Sequence, residues 1–125
     1  MNQAIKNYIA GGNIGPYVLV RHGVTDGQVR SAVGGSEPLV GVSVVPSGSV
    51  VAALDRVDVG LDRQLPVEYG GAVTRGDPLT SDAVGRAIVA APAAGVNVHI
   101  IGFADVSGIS GDVVDVYVRP ARIQG

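Results

Sequence analysis

The chain has 125 residues, 46% of them hydrophobic and 16% charged, with 19 glycines, no cysteine and a net charge of −2. That length suits one domain with a real core, and the missing cysteines exclude disulfides and thiolate metal sites. The near-neutral charge gives no electrostatic footprint for nucleic acid, and without a run of about 18 uncharged apolar residues no membrane partner is expected.

Valine leads the aliphatic residues while Lys, Glu and Leu are scarce. Valine is stiff at χ1 and suits a pleated surface, whereas the scarce residues are those that build exposed helices. The expected fold is therefore all-β: a compact small β-barrel or β-sandwich with tight Gly/Asp/Pro turns and an extended N-terminal arm.

In chain order, Met1 to Ile14 reads as a flexible arm ending in Gly11-Gly12-Asn13, with Ile5, Tyr8 and Ile9 as apolar anchors. It lacks the basic and apolar regions of a secretory signal. Residues 15–125 are expected to form a single β domain. Within it Gly15 to Val20 and Leu39 to Val45 each read as a strand after a turn signal. From Val57 to Tyr69 the odd positions are apolar except Arg63, a period of two that predicts a strand or bent strand pair with one face in the core.

Pro66 to Ala91 then alternates short strands with Gly-Gly, Gly-Asp-Pro and Val-Gly turns. Val96 to Ala104 reads as a more deeply buried strand, and Val114, Val116 and Val118 alternate with Asp115, Tyr117 and Arg119. Only Ser49 to Arg56 or Ala83 to Ala94 could be helical, and neither shows a 3.6-residue stripe. No linker, repeat or low-complexity tract is evident.

Three motifs invite a chemical reading. Leu19-Val20-Arg21-His22-Gly23 resembles the signature of the histidine phosphatases, in which the His takes up the phosphoryl group. That chemistry needs an α/β frame and a second His, and the remaining His99 sits in an apolar strand, so His22 reads as a surface turn residue. Arg75-Gly76-Asp77 matches the integrin tripeptide, but with Pro78 it reads as a tight turn. Gly11-Gly12-Asn13-Ile14-Gly15 lacks the preceding strand and following Lys-Ser/Thr of a phosphate loop. The acidic residues are dispersed, with no calcium-loop run. No catalytic residue, cofactor or metal is assigned, and a binding protein is expected, not an enzyme.

Gly41-Val42-Ser43, Asp55 to Val59, Val67-Glu68-Tyr69-Gly70-Gly71-Ala72-Val73 and Arg75 to Asp82 occur in an order similar to the small tailed-phage proteins of the DUF2190 type. Gly85-Arg86-Ala87, Ile101-Gly102-Phe103-Ala104 and Gly111-Asp112-Val113-Val114 continue the likeness, which runs from about Gly15 to the C-terminus. Arg21-His22-Gly23 and Val44-Val45-Pro46 depart from it. The resemblance implies a capsid decoration (cement) protein, made in the host bacterial cytoplasm and located on the capsid exterior of the virion. It would clamp neighbouring major capsid subunits of the expanded head. It further implies self-association as a homotrimer, with a dimer as the second option, and the arm residues Ile5, Lys6, Tyr8 and Ile9 become the expected capsid contacts. A tail, baseplate or host-surface carbohydrate-binding module is the alternative; sugar sites favour exposed aromatics, and four Tyr and one Phe supply few.

Overall fold

The computed structural model describes residues 4–125. Ten strands follow one another without a helix among the described residues. They are β1 (Ile5–Ala10), β2 (Leu19–His22), β3 (Gln28–Ser31), β4 (Leu39–Val44) and β5 (Arg56–Gly60), then β6 (Arg63–Glu68), β7 (Pro78–Ser81), β8 (Ala87–Val89), β9 (Asn97–Ala104) and β10 (Val113–Gln124). The first five close into a barrel in the order β1-β3-β2-β4-β5, and the last five form a sheet in the order β6-β10-β9-β7-β8. The all-β expectation holds. Neither helix candidate is helical: Ser49 to Arg56 is mainly a turn, and Ala83 to Ala94 carries β8 between loops.

The alternating run from Val57 to Tyr69 is a bent pair. Of its apolar positions, Val57, Val59, Leu65, Val67 and Tyr69 are buried, and Leu61 at the bend is half-buried. The bend falls at Leu61-Asp62, where β5 of the barrel gives way to β6 of the second sheet, and Arg63 takes a left-handed φ of 69°. Pro66 lies on β6, an edge of its sheet, where the missing N–H costs no ladder bond.

Three expectations need correction. Residues 5–10 are not a free arm: β1 pairs antiparallel with β5 from Ile5↔Gly60 to Ile9↔Arg56 and parallel with β3 at Ile9↔Gln28 and Ala10↔Val29. The alternation of buried Tyr8 and Ala10 with more exposed neighbours is a short strand pattern, and closing the barrel satisfies both of its edges. The strand expected over Gly15 to Val20 starts only at Leu19, because Tyr17 adopts φ 63° in a turn.

The third correction is larger. The chain contains an internal repeat, visible in its registers. In the first unit Val20 faces Ser31 and His22 faces Val29; in the second Leu79 faces Val89 and Ser81 faces Ala87. Ile5↔Gly60 and Ile9↔Arg56 correspond to Gln64↔Tyr117 and Glu68↔Val113. Ser43↔Val59 corresponds to Ala104↔Val116, and the bridge Ile14↔Val51 to Val73↔Gly108. The parallel closure Ala10↔Val29 survives in the second unit as a single bridge, Tyr69↔Ala87. Turn conformations repeat as well: Gly27 (φ 79°) matches Gly85 (φ 83°), while Tyr17 and Leu54 (φ 75°) stand where the second unit has Gly76 (φ 91°) and Gly111 (φ 93°).

The second barrel is pried open by the first. In the first unit Ile9 N–H donates directly to the Gly27 carbonyl at 2.9 Å. At the matching place Glu68 N–H donates to Tyr17 C=O (3.0 Å) and Leu19 N–H to Gly85 C=O (2.8 Å), so the Tyr17–Leu19 backbone is inserted between β6 and the β7–β8 turn. Burial follows this arrangement. One cluster, including Tyr8, Ala10, Ile14, Val20, Val29, Val57 and Val59, fills the first barrel. The other joins second-unit side chains such as Val67, Tyr69, Leu79, Ile101 and Val116 to Leu19, Ala32, Leu39 and Val42 from the outer face of the first unit. Burying those four side chains holds the units together, at roughly 25 cal/mol per Å² of apolar surface removed from water.

Candidate functional site

The structure scatters the residues that sequence reasoning singled out. His22 ends β2 in the barrel and is exposed; His99 lies half-buried in β9 of the other sheet, so the two imidazoles are not brought to one site. Arg75-Gly76-Asp77 is the tight turn expected of it: the Asp77 side chain accepts from Thr74 N–H (2.9 Å), Asp77 N–H donates to Thr74 C=O (3.0 Å), and Gly76 supplies the left-handed φ. Among the described residues no group of three His, Asp or Glu side chains is placed to hold a metal ion. Of the four arm residues named as contacts, Ile5 and Lys6 are exposed and Ile9 half-buried. Tyr8 is corrected by its burial in the barrel core, with the Lys6 ammonium 5.2 Å from its ring centroid.

A groove of about 730 Å³ lies on the second unit. Its walls come from the inter-unit bend (Leu61, Asp62, Arg63), from Phe103 on β9, and from Tyr117 to Pro120 on β10. β9 and β10 are long strands paired across a bulge between Val118 and Ala121, and this pairing sets Phe103 directly opposite Tyr117. β10 runs on past the start of β6, whose pairing ends at Arg63↔Val118, and that overhang shapes the groove. The two rings are 38% and 49% exposed, an aromatic cross-strand pair on the outer surface.

Asp105 organises the margin of this patch. It accepts a hydrogen bond from Gln64 Nε2 at 2.9 Å, and its hydrogen bond with the Tyr117 phenol, backed by its negative charge, raises the Tyr117 pKa above the usual 10.0. Arg63 and Arg119 flank the rings as cations. The surface therefore offers two π faces, the apolar side chains of Leu61 and Pro120 and a mixed rim of Arg63, Arg119, Asp62 and Asp105, which suits an apolar or cationic side chain on the rings. Sequence reasoning missed it: Tyr117 was legible as an outward residue by alternation, but Phe103 lay in an apolar run, and only its pairing with Tyr117 turns it outward.

A second tyrosine has a structural role. Tyr69 is fully buried, its hydroxyl donating to the Val106 carbonyl at 2.6 Å, and burial, followed by the charges of Asp105 and Asp77, raises its pKa. It occupies the place of Ala10 in the first unit, whose own tyrosine is two residues earlier on the same strand face at the place of Val67. Each unit thus buries one tyrosine ring, at exchanged positions.

These features define a small all-β protein built of two tandem five-stranded barrel units, the second opened by the first. The same fold occurs in the head fiber gp8.5 N base of bacteriophage phi29, which this chain matches with a TM-score of 0.65 and 16% sequence identity, over 99% of this chain and 100% of that one. No protein-family model matches the sequence, and no curated protein does either.

Proposed function

We propose that this is a structural protein of a tailed-phage head, which binds the outer surface of the expanded shell and holds neighbouring major capsid subunits together. The observation that carries the reading is the end-to-end likeness in fold to a phage head fiber base. The order of glycines and turn aspartates, which resembles DUF2190-type proteins though no family model matches it, agrees with that class. A rigid β body that binds only the assembled lattice stabilises it by mass action, and a closed oligomer, a homotrimer in the first instance, multiplies that effect through avidity. In this reading Ile5 and Lys6 are exposed positions on a barrel strand, not anchors on an arm.

Co-sedimentation of the purified protein with expanded, undecorated heads, beside unexpanded precursor heads, tests the proposal. Saturable binding to expanded heads alone is expected. Binding to neither form overturns it and turns attention to a tail or host-surface role.

A further inference from the structure

The internal repeat shows how one unit of this chain docks on another. Val42 on the outer face of β4 is 1% exposed because the second unit covers it. Beside it, Gly60 closes against Leu65, so tightly that a Cβ at Gly60 would run into the Leu65 side chain. Val42 and Gly60 are register partners, and their counterparts in the second unit are Phe103 and Tyr117, also register partners. The face that is sealed in the first unit is thus open in the second, and there it carries the two largest exposed side chains of the aromatic groove.

We infer that the Phe103–Tyr117 face binds a second copy of this chain, head to tail, on the β1 side of that copy's first unit. The occupant follows from the equivalence. In the intrachain contact the covering residues are Leu65 and, beside Val42, Pro66 of β6. Their counterparts on β1 are Lys6 and Asn7, next to Ile5, the counterpart of Gln64. All three are exposed. An ammonium and a branched aliphatic group are chemically matched to two aromatic faces. Asp58, which receives the Asn7 amide at 3.0 Å, places a carboxylate beside Asn7 on that surface. A contact between different faces of identical chains is heterologous, so it closes into a ring when the rotation allows. The inference rests on the repeat and not on head binding.

The test is sedimentation velocity of the full chain over a range of concentrations, wild type beside Phe103→Asp/Tyr117→Asp and, as a milder change on a half-exposed side chain, Tyr117→Glu alone. Wild type is expected as an oligomer. The variants are expected to retain the far-ultraviolet spectrum and to self-associate at least about 30-fold more weakly, the loss expected of one removed hot spot. A photo-crosslinking residue at position 117 should label the segment around Ile5 to Asn7 of another copy. A monomeric wild type, unaltered association in the variants, or cross-links joining position 117 of one copy to position 117 of another overturns the inference; the last would show a two-fold contact instead.

Discussion

Leu54→Gly is expected to stabilise the protein although it deletes a large apolar side chain. Leu54 holds φ 75° and is 77% exposed, so its side chain buries little. Its N–H donates to Ala10 C=O at 2.8 Å, and the matching Gly111 N–H donates to Tyr69 C=O at 2.8 Å, so the backbone geometry is the same in both units. A non-glycine residue in this region costs about 1–2 kcal/mol. Glycine removes that strain and returns about 0.4–1 kcal/mol through the greater freedom of the unfolded chain. The net gain is about 0.5–1 kcal/mol. For a chain of this size an unfolding entropy of roughly 2.1 cal/mol/K per residue converts that into about 2–4 °C in Tm. Thermal and urea melts of wild type, Leu54→Gly and Leu54→Ala provide the assay. Alanine carries the same Cβ conflict and should give no comparable gain. A Leu54→Gly protein that melts below wild type would refute the reasoning, since it would mean that the side chain contributes more than its exposed position accounts for.

Removing residues 1–10 should destroy the first barrel, because β1 pairs on both edges; a truncated chain with a native-like cooperative melt would contradict the closed topology. Gly102→Ala should cost about 3 kcal/mol or more, since φ is 152° and a Cβ would meet the Tyr117 carbonyl; equilibrium denaturation measures it. Tyr69→Phe removes the hydroxyl that donates to the Val106 carbonyl in a part-buried bond and should cost about 1 kcal/mol near neutral pH. Because the folded Tyr69 pKa is raised, chiefly by burial, its contribution to stability is complete below the ordinary value of 10.0 and is lost as pH rises through the folded value. Urea midpoints on either side of that range should therefore fall more steeply for wild type than for Tyr69→Phe, and parallel declines would count against the assignment.

Much of the strand content was legible because alternation is a local property. Val57 to Tyr69 and Val114 to Val118 show their inner faces directly, since a β-branched side chain every second residue both favours the extended backbone and marks the buried side. The repeat was not legible, although Gly11-Gly12 and Gly70-Gly71 occupy matching turns. Its conserved content is backbone geometry, while the side chains have exchanged volumes: Tyr8 and Ala10 against Val67 and Tyr69, Leu54 against Gly111, Tyr17 against Gly76. Several side chains fill one barrel equally well if the total volume is kept, so packing constrains the sum more than the individual letters.

By itself, then, the sequence determined the all-β class, the turn positions and most inward residues, because those follow from the sterics of neighbouring residues. Tertiary structure alone decided that β1 is a barrel strand, that Tyr17 to Leu19 opens the second unit, and that Val42 is covered while Phe103 is not. Each depends on which distant strand lies alongside, and the hydrogen bonds and burial that select that partner are summed over both units at once, a quantity no local stretch of the chain contains.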